Sequence, residues 1–348
     1  RVVKERRDAA QGEWLDFTSN DYLGLAEHPE VVGALRAARR VGSGGSRLLA
    51  GAHAEHAALE RELAEYVGRE RALLFASGYH AALGAIGALA KVVGSAYFDA
   101  LNHACLIDGL RGTRLPRHIY RHLAFAGAAR GADRGSGALV VSESIFGMDG
   151  DAADPRALLA ALGPDDVLLI DEAHALGVEG THGAGLAYGV DDPRVLVLGT
   201  LSKAFGAHGG FVAGPAIVID YLQTAARTFI FDTALPPSIA EAARAGLRVA
   251  CGSDAARAHL AALGDRLRRG LRSLGYAVGE GRGPVVPVLV GGEEPVLALA
   301  AALRERDIDA PPIRPPTVPP GACRLRVTLR ATHSMADVDR LLEALADR

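Results

Sequence analysis

The sequence predicts an α/β fold: a large domain with a mostly parallel, doubly wound sheet, followed by a smaller C-terminal α/β domain. Three observations lead there. Short apolar runs alternate with helical patterns up to about residue 252, the runs are apolar at consecutive positions rather than at every second one, and the pattern changes from residue 253 onward. Strands that alternate polar and apolar residues have one wet face. Unbroken apolar runs belong to strands buried on both faces, which is how a parallel sheet covered by helices reads. The runs are Ala72-Leu73-Leu74-Phe75, Ala138-Leu139-Val140-Val141, Val167-Leu168-Leu169-Ile170 and Val195-Leu196-Val197-Leu198.

Helices are predicted from Glu55 to Val67, along the Ala-rich stretch after Gly78, and after Pro155, where Asp154 suits the cap and Pro155 the first helical position. From residue 253 follow a long Arg/Ala/Leu helix, a strand near Val285 to Val290, a helix from Pro295 to Arg306, a strand from Arg324 to Leu329 and a last helix. The Pro-rich stretch from Pro311 to Pro320 is a stiff connection biased to polyproline geometry. The predicted organisation is an N-terminal segment over 1–40, a large domain over 41–252 and a small one over 253–348.

Composition narrows the function classes. A net charge of -3 on 348 residues gives no general pull toward nucleic acid or an anionic membrane, so neither is expected as a partner. Cys105, Cys251 and Cys323 are too few and too scattered for a disulfide framework or a zinc-ligand pattern, which makes no metal site and a reducing compartment the expectation. No apolar run approaches the roughly 20 residues that cross a bilayer, and Arg1-Val2-Val3-Lys4 carries no signal-like stretch; the cytoplasm is the expected location. Of 38 basic residues only Lys4, Lys91 and Lys203 are lysine. A guanidinium stays protonated and forms no imine, whereas a lysine amine does, so a lysine inside a Gly-rich turn draws attention.

In doubly wound sheets ligands sit beyond the carboxyl ends of the strands. Three such ends carry chemistry. The strand ending at Ile170 runs into Asp171-Glu172-Ala173-His174, a carboxylate and an imidazole three residues apart. The strand ending near Gly199 runs into Thr200-Leu201-Ser202-Lys203-Ala204-Phe205-Gly206, with two hydroxyls and an amine in one turn. Ala76-Ser77-Gly78-Tyr79 opens a helix whose free N–H groups and positive dipole end suit a phosphate. Each is an ordinary turn when taken alone. Together they supply what pyridoxal phosphate requires: an amine for its aldehyde, an anion beside its pyridine nitrogen and a phosphate anchor.

The ordered motifs resemble one family along nearly the whole chain. Phe17-Thr18-Ser19-Asn20-Asp21-Tyr22-Leu23-Gly24-Leu25, Gly42-Ser43-Gly44-Gly45-Ser46-Arg47, Asn102-His103-Ala104, Met148-Asp149-Gly150-Asp151, Asp171-Glu172-Ala173-His174, Thr200-Leu201-Ser202-Lys203 and Thr233 with Leu235-Pro236-Pro237 are similar, in this order, to the α-oxoamine synthases. The resemblance implies a fold-type I pyridoxal-phosphate transferase. It makes Lys203 the Schiff-base lysine, pairs Asp171 with the pyridine nitrogen, stacks His103 on the ring and sets His174 against the ring's phenolic oxygen. Gly78, Tyr79, Thr200 and Ser202 would hold the phosphate, with Thr233 reaching the cofactor of a neighbouring subunit in a homodimer with shared sites. Asn20 and Arg326 would bind the amino-acid carboxylate, for which an arginine fork is geometrically apt.

Arg314-Pro315-Pro316-Thr317-Val318-Pro319 and Arg324-Leu325-Arg326-Val327-Thr328 look most like the branch that joins L-alanine to a pimeloyl thioester, carried on CoA or acyl carrier protein, which puts Arg314 and Thr317 on the substrate side. Glycine-using members with shorter acyl-CoA substrates, and a non-catalytic pyridoxal-binding protein on the same fold, are the alternatives. The chain departs from the family at Gly147, where serine is usual, and at Ala82, where asparagine is usual; the N-terminal arginine that meets the acyl chain is matched by Arg1, Arg6 or Arg7.

Overall fold

The computed structural model describes residues 14–129, 137–279 and 281–347. They divide into two compact units. The larger contains Leu23–Gly147 and Asp151–Arg257; the smaller contains the described residues up to Tyr22, Met148–Gly150, and the chain from Ala258. The division thus falls after Tyr22 and inside the helix Asp254–Ser273, whereas the sequence pattern suggests 40 and 252.

Seven strands form the sheet of the larger unit: β1 (Arg71–Phe75), β2 (Ser95–Asp99), β3 (Arg117–Tyr120), β4 (Ala138–Glu143), β5 (Val167–Asp171), β6 (Val195–Thr200) and β7 (Gly210–Gly214). Their order across the sheet is β1-β7-β6-β5-β4-β2-β3. Every neighbouring pair is parallel except the two made by β7, which runs against both β1 and β6. The four predicted apolar runs are β1, β4, β5 and β6. Their side chains are buried on both faces, as unbroken apolar runs require: Leu73, Val141, Leu169 and Leu196 on one face and Leu74, Val140, Leu168 and Val197 on the other are all at 3% exposure or less.

The register of β7 positions the functional end of the sheet. Gly210, its first residue, lies opposite both Phe75 and Thr200, the last residues of β1 and β6. Only a glycine fits there. A Cβ on Gly210 would overlap the N and Cα of Gly78 and stand 2.5 Å from the Ser77 carbonyl carbon, so the helix after β1 starts in direct contact with the sheet.

That helix, Gly78–Leu89, is capped by Ser77, whose hydroxyl accepts from the His80 N–H at 3.1 Å. Its Ala and Gly residues let it lie close to the sheet and to Ala104–Arg111; Ala82, Ala85 and Ile86 are fully buried against Phe75, Phe98 and Leu106. A Cβ on Gly109 would come 2.9 Å from Ile86 Cδ1, so this contact is packed to its limit.

In the smaller unit a three-stranded antiparallel sheet takes the order Pro312–Ile313, Cys323–Thr328, Val285–Gly291, and Leu15–Asp16 pairs in parallel with Ile308–Asp309. Helix Met335–Ala346 is opened by a capping box in which the Ser334 hydroxyl accepts from Asp337 N and the Asp337 carboxylate from Ser334 N. Just before it, His333 is buried between chain segments: its Nδ1 accepts from Arg330 N at 3.1 Å, leaving Nε2–H to donate to the Asp16 carbonyl at 3.1 Å. Both ring nitrogens are committed as a neutral imidazole, and burial lowers its pKa to about 4.

Candidate active site

The carboxyl ends of β2, β4, β5 and β6 bring a lysine, two imidazole-bearing loops and two buried carboxyl groups together. β6 passes into a tight turn closed by Leu201 N to Gly209 O (3.0 Å) and Gly206 N to Lys203 O (3.0 Å). Gly206 takes φ +62 and a Cβ there would overlap the backbone of Leu25 and Ala26, so the turn is locked against the loop beneath it. From this turn Lys203 extends its Nζ to 2.8 Å from Nε2 of His174, a ring that is 6% exposed and lies three residues beyond β5.

Asp171 ends β5 and is 5% exposed; its Oδ1 accepts from Ala173 N at 2.9 Å. Glu143 ends β4 directly opposite it in register, 3% exposed. Burial raises the pKa of both; for Glu143 the repulsion from Asp171 adds to it, pushing that carboxyl up to about 8 against the opposing pull of Lys203. Glu172, the next residue along, is fully buried but spends its oxygens on Ser144 Oγ (2.7 Å), Leu186 N (3.1 Å) and Ala187 N (2.6 Å), and so ties down the 184–187 loop.

His103 caps the helix Ala104–Arg111, its ring nitrogen Nδ1 accepting from Cys105 N at 3.3 Å with Cys105 Sγ at 3.0 Å. Its backbone N–H donates to Glu143 Oε1 at 2.6 Å. The ring itself is exposed, which leaves a face on which a planar group can stack.

A second arrangement, with the character of an anion cradle, lies next to the β1, β7 and β6 ends. Thr200 Oγ1 stands 2.8 Å from Ser202 Oγ, and a Cβ on Gly78 would come 3.1 Å from Thr200 Cβ, so the hydroxyl pair and the first turn of helix Gly78–Leu89 are adjacent. The first N–H groups of a helix have no partner within it and carry the positive end of its dipole. The Tyr79 hydroxyl is engaged elsewhere, donating to Asp108 Oδ2 at 2.5 Å, so Tyr79 offers the cradle its backbone.

The donor set fits pyridoxal phosphate on grounds internal to the site. Two buried acidic groups face one amine and burial drives both toward their neutral forms, so a further cation, which a protonated pyridine would supply, favours their ionised forms. The anion cradle lies on neighbouring strand ends and the exposed ring of His103 offers a wall. Among the described residues no group of three or more His, Cys, Asp and Glu is arranged to hold a metal ion.

Comparison with known proteins agrees. The family model for class I and II aminotransferases matches residues 12–345. The 8-amino-7-oxononanoate synthase of Methylococcus capsulatus is 46% identical over 343 residues, 96% of this chain and 88% of that protein. Among solved structures, the serine palmitoyltransferase of Sphingomonas wittichii superposes with a TM-score of 0.89 at 31% identity, covering 94% of this chain and 85% of that one. An 8-amino-7-oxononanoate synthase from Francisella tularensis superposes with a TM-score of 0.82 at 25% identity, covering 96% and 97%. The chain belongs to the α-oxoamine synthase branch of the class I and II aminotransferase family.

The remaining residues that the α-oxoamine synthase motifs single out lie as follows. Asn20 and Arg326 meet in the smaller unit: Arg326 Nη1 donates to Asn20 Oδ1 at 3.1 Å and to Thr328 Oγ1 at 3.0 Å. Arg324, its neighbour but one, pairs with Asp149. Arg314 is half-exposed and pairs with Glu293 at 3.3 Å, and Thr317 is exposed, its N–H bound to the Arg314 carbonyl. Arg1 lies outside the described residues. Thr233 is exposed on a loop that the 43–56 segment grips: Ser43 Oγ donates to Ala234 O (2.6 Å), Ala234 N to Gly45 O (2.9 Å), and His56 Nε2 to Leu235 O (2.6 Å).

Glu143 and Gly210 are parts of this centre that the motifs do not flag, and Gly147 is flagged only as a departure from them. Gly147 has a physical reason to lack a side chain: a Cβ there would overlap His174 Nε2 and stand 2.8 Å from Cε1 and 2.9 Å from Cδ2. The sequence signal for Glu143 is the one that exposed Asp171, a carboxylate at the end of an apolar run.

Proposed function

We propose that this chain is an 8-amino-7-oxononanoate synthase, a pyridoxal-phosphate-dependent C-acyltransferase that joins L-alanine to a pimeloyl thioester with release of carbon dioxide and the free thiol. The observation that carries the reading is the 2.8 Å contact between Lys203 Nζ and His174 Nε2 beside the Asp171 and Glu143 carboxylates, in a chain 46% identical to a synthase of that name. Pyridoxal phosphate supplies the electron sink that stabilises negative charge at the substrate α-carbon. Lys203 takes the α-proton on Nζ and returns it, with His174 as the neighbouring nitrogen that shares it. Asp171 holds a proton on the pyridine nitrogen by charge. The Thr200 and Ser202 hydroxyls and the N–H groups of Gly78 and Tyr79 hold the phosphate, and the exposed ring of His103 orients the plane by stacking. Arg326, steadied by Asn20, binds the amino-acid carboxylate, and Arg314 and Thr317 contribute on the acyl side.

The same reading includes a homodimer in the cytoplasm. No described helix is long and apolar enough to cross a membrane. Val41, Leu49 and Phe231 are 88%, 86% and 69% exposed along the two segments that present Thr233, which is the surface character of an interface between copies. Thr233 would serve the partner's phosphate cradle. Mixing Lys203→Ala chains with Thr233→Arg chains tests this: restored turnover in heterodimers is the expected result, and none in a mixture shown by mass to contain heterodimers removes Thr233 from the shared site.

The deciding assay is a panel of alanine, glycine and serine against pimeloyl, acetyl and palmitoyl thioesters on CoA and on acyl carrier protein, scored by thiol release. Alanine with a pimeloyl thioester is expected to give the highest kcat/KM; a preference for serine with palmitoyl-CoA or glycine with acetyl-CoA would overturn the substrate assignment.

A further inference from the structure

We infer that Glu143 is the positioning residue of this site: one buried carboxyl group fixes the two loops that carry the catalytic imidazoles and, in its charged form, acts on the Lys203 amine. The inference rests on the cofactor reading above and adds a residue to it.

The geometry is a clamp with two arms. Glu143 Oε1 accepts from the backbone N–H of His103 at 2.6 Å, and Oε2 accepts from the backbone N–H of Gly147 at 3.3 Å. The first arm fixes where the His103 ring starts, because His103 also caps its helix and its Nδ1 is held by Cys105. The second arm fixes the His174 ring. Gly147 presents its bare Cα to that imidazole, with no room for even a methyl group, so any drift of Gly147 moves the wall against which the ring rests. His174 in turn meets Lys203 Nζ. Two histidines 71 positions apart in sequence are thus registered by a single side chain (174 − 103).

A neutral hydrogen-bonding residue would satisfy only part of this. A glutamine in place of Glu143 would keep one acceptor oxygen but turn an NH2 group toward one of two backbone N–H donors, and a donor facing a donor is a lost bond in a dry site. It would also remove the charge that Glu143 carries above about pH 8. The groups that act electrostatically on Glu143 are Asp171 across the strand pair and Lys203; burial and Asp171 raise its pKa, while Lys203 and the His103 and Gly147 N–H groups lower it. Deleting the charge leaves Asp171 as the remaining carboxylate near the amine and weakens the preference for any cationic form at Nζ.

The experiment is Glu143→Gln, studied as holoenzyme beside the wild type. Three readouts are taken: the thermal midpoint, the visible circular dichroism of the bound cofactor, which reports ring orientation, and the pH titration of its visible absorbance. The expected result is retained cofactor, visible dichroism reduced by about half or more, and an absorbance titration moved to lower pH by about half a unit or more. Unchanged dichroism and an unchanged titration, whatever happens to the midpoint, would overturn the inference and reduce Glu143 to a loop anchor. If Glu143→Gln does not fold, Glu143→Asp keeps an ionisable carboxyl and withdraws it from the His103 and Gly147 N–H groups. A reduced visible dichroism supports the clamp, and a wild-type signal overturns it. Wild-type protein that shows no visible chromophore with pyridoxal phosphate would instead refute the cofactor reading itself.

Discussion

Gly210→Ala tests whether the phosphate cradle is built by backbone contact. The added methyl would overlap Gly78 N and Cα and lie 2.5 Å from the Ser77 carbonyl carbon, all main-chain atoms that cannot rotate away. Something has to move, and the movable element is the first turn of helix Gly78–Leu89. Overpacking of this kind costs about 1–3 kcal/mol of stability. The cradle loses more specifically. A hydrogen bond to a charged group is worth about 1.5–3 kcal/mol, so one misplaced N–H weakens phosphate binding by about 10- to 100-fold. The assay is cofactor titration by absorbance with two ligands, pyridoxal phosphate and pyridoxal, plus a melting curve. The expected result is a large loss for the phosphorylated ligand and a small one for pyridoxal. Equal losses for both would refute the reasoning, because they would mean that Gly210 supports the fold and not the anion.

Three further outcomes follow from the geometry. Asp171→Asn is expected to keep the fold and the cofactor yet lose turnover by about a hundredfold or more, since a neutral amide does not hold a proton on the pyridine nitrogen; kcat within a few-fold of wild type would count against that role. His122 bridges Asp99 (2.8 Å) and Asp151 (2.6 Å); burial works against its charge, but those hydrogen bonds prevail and raise its pKa to about 10. Its stabilising contribution is therefore full below about pH 6.5 and lost as the pH rises through 10, and unfolding midpoints across that range are expected to fall more steeply in the wild type than in Asp151→Asn. Leu123 sits at φ 59, a left-handed conformation that costs an ordinary side chain about 1–2 kcal/mol, so Leu123→Asn, which keeps the N–H donation to Asp99, is expected to raise stability by about 0.5–1 kcal/mol in chemical denaturation; a decrease would show that packing of the Leu123 side chain outweighs the strain in its backbone.

How far the sequence reaches depends on whether a feature is local. β1, β4, β5 and β6 are legible because burial on both faces leaves an unbroken apolar run, and the Asp154 cap of Pro155–Ala160 is legible because both partners lie within one turn. β2, β3 and β7 leave fainter traces. Arg117-His118-Ile119-Tyr120 is an edge strand with its first three residues exposed, so it carries charge where the inner strands carry valine. Gly210–Gly214 begins and ends with glycine, which in isolation reads as a turn; its glycine at position 210 exists for an approach to Gly78, 132 positions earlier (210 − 78). The site divides in the same way. Asp171 stands out because it follows an apolar run directly, and His174 and Lys203 because they lie in the turns that leave such runs. Glu143 also ends such a run, yet its meaning lies in its register with Asp171 and its bonds to His103 and Gly147, which are tertiary facts. Likewise nothing local to Tyr79 says that its hydroxyl goes to Asp108 and leaves only the backbone for an anion.

The scarcity of lysine gives the sharpest separation of charge from covalent chemistry. Arginine serves where a fixed cation with many donors is needed: Arg257 reaches the Ala250 carbonyl at 2.6 Å and Asp254 at 2.5 Å, Arg268 reaches the Gly283 carbonyl at 3.0 Å, and both are 9% exposed or less. A guanidinium does that work without losing its proton. Lys91 is exposed, its Nζ 3.4 Å from the Ala225 carbonyl, and Lys203 is the lysine at a strand end beside an imidazole and two carboxylates. Lys203→Arg therefore keeps a cation near Asp171 and Glu143 while removing the amine that forms an imine there. If Lys203 acted by charge alone, the arginine variant would retain a substantial share of turnover. The expected outcome is the opposite: cofactor binding persists through the phosphate cradle at reduced affinity, turnover with alanine is lost, and borohydride fixes no cofactor to the protein, whereas in the wild type it marks the peptide containing Lys203. Borohydride-stable cofactor in the Lys203→Arg protein, mapped to Lys91 or Lys4, would show that the imine forms elsewhere and would take the β6–β7 turn out of the chemistry.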